Sequence, residues 1–417
     1  MTDTENIDVL IIGAGISGLV AAKVFKAAGK KIKIIEASDG VGGRVRTDEF
    51  DGFLLDRGFQ VLLTAYPEAK RFLDYKALDL RSFKPGAIVL NEKGITEIGD
   101  PLRDPESLFR TLASPVGSFT DKLKMLSLKL KLGGANIEQI FTRKETTTIA
   151  YLINEGFSDK ILNQFFKPFL SGIFLEEQLH TSSRMFEFVF KMFSEGDTAI
   201  PAKGMGKITE QLAEGLKDDE LTLNKTVAEI SGGQVTTADG DVYAAKKVLI
   251  ATAADHVPLP FKKTGVLKNS VTEIYFAADK APFKKPLIAL NASANKMVNN
   301  VAVLNNISPE YCSDSRSLVS VSLIGDFENE NTNLLVAKAI QELKQWYPEC
   351  VNWKYLKTYH IPYALPNAST VENDIAFSAL KLSEEHFICG DHVLNGSINA
   401  AMKSGRIAAE GILSLIN

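Results

Sequence analysis

At 417 residues the chain has the length of two to three domains of roughly 150 residues, with ample material for a sizeable core. Apolar residues make up 45% and charged residues 24%, which excludes a disordered or membrane-embedded chain. A net charge of −4 offers nucleic acid no attractive field, and no nucleic-acid partner is expected.

The chain opens with a short β-branched run, Ile7 to Ile12, then Gly13-Ala-Gly15-Ile-Ser-Gly18, a helix-forming stretch from Leu19 to Ala28, and an alternating run from Lys31 to Glu36. This reads as strand, tight turn, helix, strand: a βαβ unit. The uncharged stretch Val9 to Ala22 holds three glycines and follows Asp3, Glu5 and Asp8, so it is expected to be neither a signal peptide nor a membrane span. From Pro101 to about Glu195 the pattern is helical, with segments starting at Asp104-Pro105, running from Ser118 to Leu132, and beginning again at Thr181-Ser-Ser. Strand-like runs return between Leu221 and Ala251, where Lys247 to Thr252 reads as a buried central strand. Val271 to Ala277 and Ser317 to Ile324 read as further strands and Leu334 to Trp346 as a helix. The chain closes with a strand at Phe387 to Gly390 and a helix from Ser397 to Leu415. Cys312, Cys350 and Cys389 are odd in number and form no CxxC pair, which suits a reducing, cytoplasmic location.

The fold class expected is α/β. A discontinuous Rossmann-like cofactor domain would comprise residues 1–66, 199–256 and 367–417. A substrate domain would comprise a helical insertion, 67–198, and a mixed sheet insertion, 257–366.

The chemistry begins at the first turn. Gly13 allows the tight bend, Gly15 lets backbone approach a pyrophosphate, and Gly18 lets helix pack on strand, with the helix N-terminus facing the anion. Ile16 and Ser17 complete that turn, and Glu36, with Ala37 after it, stands where an acid accepts ribose hydroxyls. A second glycine pair, Gly42-Gly43, brings another loop toward the pyrophosphate, and Arg44 adds a fixed charge with forked donors for phosphate. His386, Cys389, Asp391 and His392 have the residue types of a metal cluster, but strand alternation puts the outer two ~20 Å apart, so no metal is expected. No GxSxG elbow occurs.

With Glu36 to Thr47 following the fingerprint, the sequence resembles the flavin-containing superfamily of amine oxidases, protoporphyrinogen oxidases and phytoene desaturases. That resemblance implies non-covalent FAD, with Gly58, Phe59 and Gln60 running beside the isoalloxazine ring. Pro201 to Gly206 and then Thr226-Val227 resemble the family's return to the FAD domain, where Val227 would meet the adenine end. Ile388-Cys-Gly390-Asp391 and Gly396-Ser397-Ile398-Asn-Ala-Ala401 resemble its C-terminal segment. There Gly390 and Asp391 would bind the ribityl and pyrophosphate portion, and Ser397, Ile398 and Ala401 would sit at the flavin pyrimidine. A helix N-terminus at that end stabilises negative charge on reduced flavin.

Phe165, Phe166, Phe169, Phe174, Phe186, Phe188, Phe190 and Phe193 cluster around a segment, Pro168 to Phe174, that resembles the protoporphyrinogen oxidase and desaturase branch. They fit either an apolar substrate tunnel or plain core. Lys122, Lys124, Lys129 and Lys131 alternate with leucines, which fits peripheral contact with an anionic membrane and equally a solvated helix face.

The expected function is an FAD-dependent oxidoreductase, desaturase or oxidase, taking hydride from a large apolar substrate such as a polyene or tetrapyrrole. One fingerprint occurs, so reoxidation by dioxygen or a quinone is expected. No catalytic residue is nominated; His392 is a weak candidate base. The alternatives are an amine oxidase and a non-redox polyene isomerase. Ser397, where amine oxidases carry an aromatic wall, stands against the first, and its water-positioning lysine would be one of Lys284, Lys285 and Lys296.

Overall fold

β-branched and leucine-rich runs with no charge at their centres can be buried on both faces, and in this chain they build a parallel sheet. The computed structural model describes residues 7–262, 264–367 and 369–416, so Asp3 and Glu5 lie outside the described residues. Strand Ile7–Ile12 pairs in parallel with Ile32–Ile35 on one side and with Val242–Ile250 on the other. Leu221–Thr222 and His386–Ile388 extend the parallel sheet at its two edges. Leu10, Ile12, Val248 and Ile250 pack on one face, and Val9, Ile11 and Leu249 on the other. The expected strand from Lys247 is the buried end of Val242–Ile250, whose outer end turns into an antiparallel meander through Gln234–Thr237 and Val227–Ser231.

The first helix, Ile16–Ala27, lies against the last, Ile398–Ile416. Their approach explains the small residues of the last helix: a Cβ at Gly405 would stand 2.2 Å from the Ser17 carbonyl oxygen.

A second sheet of seven strands runs Lys354–Pro366, Lys268–Ala278, Ser317–Ile324, Val298–Val303, Ile288–Asn291, Gly86–Asn91 and Gly94–Gly99. It is antiparallel except where Ile288–Asn291 meets Gly86–Asn91. The stretch from Pro101 is helical, as its pattern suggested, and includes Leu108–Ala113, Phe119–Gly133, Lys167–Phe174 and Ser183–Glu195. Ser118 starts the second of these with a capping box: its hydroxyl accepts from the Asp121 N–H at 3.1 Å and Asp121 answers to the Ser118 N–H at 2.8 Å. Within the described residues, no helix is long and apolar enough to cross a membrane.

Candidate cofactor and substrate cavity

The ends of the parallel strands carry the first-turn glycines, and each has its own reason to lack a side chain. Gly13 has φ +106°, and a Cβ there would lie 2.9 Å from the Ala251 carbonyl oxygen. At Gly18 a Cβ would fall 2.1 Å from the Gly13 oxygen, so this residue serves the packing of helix on strand. Gly15 differs: no protein atom lies within 4 Å of where its Cβ would stand. That open side faces a cavity of about 1520 Å³.

The second glycine loop joins the first by backbone. The Gly42 N–H donates to the Ala14 carbonyl at 2.8 Å, and Gly15 and Gly42 form a parallel bridge. Gly42 and Gly43 both take positive φ, +116° and +57°, which only glycine adopts without strain. Glu36 is held at the end of its strand: Oε2 accepts from the Ala14 N–H at 2.7 Å, and Oε1 accepts from the Ser38 N–H at 2.8 Å and its hydroxyl at 2.7 Å. Glu36 and Gly15 both line that cavity.

The Arg44 guanidinium donates to Asp391 Oδ1 at 2.7 Å and to the Ala364 carbonyl at 2.8 Å, and lies 5.2 Å from the Tyr363 ring centroid, on the cavity wall. Burial opposes the charge, but Asp391 more than offsets it and keeps the group protonated. Arg44 therefore ties the first segment of the chain to the last.

The cavity wall takes in Gly13, Gly15, Ile16 and Ser17 from the first turn, Glu36 and Ala37 after the second strand, and Gly42, Gly43 and Arg44 from the second loop. Gly58, Phe59, Gln60 and Val227 join them, as do Gly390, Asp391, Ser397, Ile398 and Ala401 from the C-terminal segment. Gly18 stands outside the wall, consistent with its packing role. Ser397 starts the last helix: its hydroxyl accepts from the Ala400 N–H at 3.0 Å and donates to Asn395 Oδ1 at 2.7 Å. The positive end of that helix thus opens onto the cavity.

Two buried polar atoms on this wall, Gln60 Oε1 and Thr252 Oγ1, have no hydrogen-bond partner among the described residues. Such atoms call for a polar occupant. Together with the space at Gly15, the Glu36 carboxylate and the open helix end, they fit a dinucleotide.

Further in, the wall turns apolar. Phe165, Phe169, Phe174, Phe190 and Phe193 line it, with Phe165 stacked on Phe169 at 5.3 Å and Phe169 tilted against Phe193 at 5.4 Å. Phe166, Phe186 and Phe188 are instead fully buried core. The phenylalanine cluster therefore divides between the two readings, according to which side of each helix faces inward.

His392 does not line the cavity; Gly390 has φ +149°, and a Cβ there would sit 2.5 Å from the His392 ring, so the histidine packs on the backbone of the turn. His386 is occupied elsewhere, with Nδ1 at 2.6 Å from the Ser383 hydroxyl and Nε2 at 2.7 Å from the Gly232 carbonyl. None of Lys284, Lys285 and Lys296 reaches the wall. Lys285 pairs with Glu97, and Lys296 donates to Asn291 O and Asn299 Oδ1, with burial lowering it to about 8. The sequence reading missed His360, Tyr363, Asn269 and Asn300, all on the wall. They belong to no motif, and the one signal was a lone histidine inside a strand-like run.

The model of the flavin containing amine oxidoreductases matches residues 16–413. The chain belongs to this family. Human lysine-specific histone demethylase 2 is 30% identical over 279 residues, which covers 64% of this chain and 32% of that protein. Protoporphyrinogen oxidase 2, chloroplastic/mitochondrial, of Arabidopsis thaliana is 27% identical over 164 residues, 39% of this chain and 32% of its own. The chain spans under a third of the length of the first curated relatives it matches. Cyclohexylamine oxidase from Brevibacterium oxydans shares the fold at a TM-score of 0.72 and 16% identity, covering 99% of this chain and 100% of its own. A protein of Exiguobacterium sp., provisionally assigned as a protoporphyrinogen oxidase, does so at 0.75 and 17%, with the same coverage. The family implies FAD as the cofactor of this chain.

Proposed function

We propose that the protein is an FAD-dependent oxidoreductase, a desaturase or oxidase, acting on a large apolar substrate such as a polyene or tetrapyrrole. The observation that carries this is the continuity of one cavity from the glycine loops to the phenylalanine-lined chamber. FAD bound at the polar end supplies a two-electron acceptor. Glu36 would hold the ribose, the Gly15 and Gly42-Gly43 backbones the pyrophosphate, and the N-terminus of the last helix the flavin pyrimidine. The phenylalanines would exclude water and orient an apolar substrate by surface burial, at about 25 cal/mol per Å².

An amine substrate fits less well. Ser397 presents no ring, and Tyr363, the aromatic nearby on the wall, already carries Arg44 at 5.2 Å and Lys268 at 5.8 Å from its centroid. A free cation gains little from a face so occupied. Non-covalent retention of FAD is part of the same reading, because Cys389 is off the cavity wall and burial pushes its thiol up to about 12. The acceptor would be dioxygen or a quinone, since the fingerprint occurs once in these 417 residues.

The reading extends to an entry surface resting on a lipid bilayer. On the helix Phe119–Gly133, Phe119, Leu123, Leu126 and Leu130 face solvent while Leu128 and Leu132 face the core, so the outward stripe is apolar rather than solvated. Phe109, 83% exposed on the neighbouring helix, extends the patch. Leu112, Phe119, Leu123 and Leu126 also line the cavity, so the patch surrounds an opening. A bilayer at that opening would deliver apolar substrate, whereas a second protein copy would seal it. Lys129 and Lys131 pair with Asp100 and Glu155, but the bonds of Lys122 and Lys124 go to carbonyls, which leaves their charge for anionic headgroups.

The test is anaerobic mixing of purified holoprotein with polyenes and porphyrinogens in liposomes, against benzylamine and a polyamine. Bleaching of bound flavin by the hydrophobic set is expected. Rapid bleaching by the amines alone would replace this reading with an amine oxidase.

A further inference from the structure

Glu273 is fully buried in the second sheet, midway along strand Lys268–Ala278. Its Oε1 accepts from the Ser320 hydroxyl at 2.6 Å and its Oε2 from the Ser322 hydroxyl at 2.7 Å, both on the neighbouring strand. Ser322 Oγ in turn accepts from Asn300 Nδ2 at 3.0 Å. Asn300 lines the cavity, and so does Phe59, whose backbone N–H donates to the Glu273 carboxyl. One hidden carboxyl thus touches two separate parts of the cavity wall, one through a serine and an asparagine, the other through a main-chain amide.

The surroundings leave this carboxyl without a counter-ion. Glu273 makes no ion pair among the described residues. On the flanking strand Tyr359 stands opposite it in register, with His360 next along. Tyr275 shares its strand, and Asp56, also fully buried, adds like charge from the other side. Arg57 is engaged by Asp48 at 2.9 Å, and Lys357 lies against the same Asp48. Burial pushes Glu273 up to about 7 against the opposing pull of the two serine hydroxyls.

We propose that Glu273 is a positioning residue for the electron-accepting part of the cavity, binding one proton from the medium when that part gains negative charge and releasing it when the charge departs. The inference rests on the FAD reading above. With FAD bound, a hydride from a substrate C–H bond would add two electrons and one proton to it and leave it with one negative charge, while the substrate would give a second proton to solvent as its double bond forms. In response an O–H bond forms on Glu273 with a proton drawn from solvent, and no other oxidant or reductant is needed. The physical reason is that two negative charges in a buried, weakly screened setting oppose each other, so each raises the other's affinity for a proton. The coupling is reciprocal: ionised Glu273 holds the cofactor potential down, and reduction raises the proton affinity of Glu273.

The test uses FAD-loaded protein with the substitutions Glu273→Gln and Ser322→Ala. Infrared difference spectra between photoreduced and oxidised protein near neutral pH should show a gain of protonated-carboxyl C=O stretch in the wild type that Glu273→Gln lacks. The cofactor midpoint potential should fall more steeply with pH across neutrality in the wild type than in Glu273→Gln. Ser322→Ala removes a donor to the carboxylate, so its inflection should move to higher pH; this variant decides the matter if Glu273→Gln fails to fold. Equal potential–pH curves in the wild type and the variants, or an unchanged carboxyl band, would overturn the inference while the FAD reading stands. Protein that takes up no FAD overturns both.

Discussion

Arg44 and Asp391, 347 positions apart in the chain, are joined by a 2.7 Å ion pair on the wall of the cavity. The pair closes the site by linking the second glycine loop to the turn before the last helix. Asp391 is nearly fully buried, so its bond to Arg44 is shielded from water.

Arg44→Met and Asp391→Ala are each expected to destabilise the apoprotein by roughly 3 kcal/mol, because either change strands the other charge. Both should also lower FAD content, and Asp391→Ala should alter the flavin spectrum. Thermal melts of apoprotein and cofactor release by acid precipitation check this. An unchanged melting temperature in both variants would remove the pair from any closing role.

Glu36→Ala is expected to weaken FAD binding by about ten- to a hundredfold, the worth of charge-assisted bonds of 1.5–3 kcal/mol. Glu36 and Ser397 stand on different elements, the end of the second strand and the start of the last helix, and the flavin end is assigned to the latter, so the residual holoprotein should keep its spectrum. Titration of apoprotein with FAD gives the affinity, and a wild-type value would show that the ribose lies elsewhere.

Stability should decline as pH rises toward neutrality on account of two buried carboxyls. Burial raises Glu273 to about 7 and Asp56 to about 6, despite donors to Asp56 from Thr47, Tyr311 and the Met205 N–H. The folded state therefore holds protons that the unfolded chain has lost, and the stability present below the unfolded pKa of about 4 falls away as pH climbs through the folded values. For Glu273 the loss is of order 3 kcal/mol. Urea melts at about pH 5 and about pH 8 should show Glu273→Gln losing less than the wild type between them. A parallel decline in both would locate the effect in other groups.

Phe119→Ser combined with Leu123→Ser should abolish binding to anionic vesicles in a flotation assay while changing stability by no more than about 0.5 kcal/mol, because both side chains are exposed. Wild-type protein should bind anionic vesicles more strongly than neutral ones, and less at high salt. Failure of wild-type protein to bind any vesicle, with a dimer in solution that the double substitution dissociates, would assign the patch to a second copy.

Contiguous residues sufficed to reveal the βαβ opening, the paired glycine loops, Glu36 and the C-terminal strand and helix. In each, the decisive property is local: a positive φ that glycine takes without strain, a strand buried on both faces, a helix start one residue after Ser397. The same locality explains the strand at Ser317–Ile324 matching its expected limits. Other features depend on which distant segments come to lie together, and no local pattern encodes that. Arg44 meets Asp391 because a carboxylate from the far end of the chain is brought beside it by the fold. The phenylalanines separated into cavity wall and core according to how each helix was rotated against its neighbours, a rotation that spacing alone leaves open. The leucines of Phe119–Gly133 face outward because the core took the opposite side of the helix. Glu273 met Ser322, Asn300 and Phe59 only through sheet register and the loop laid over it, and burial there, not its identity as a glutamate, sets its proton affinity near neutrality.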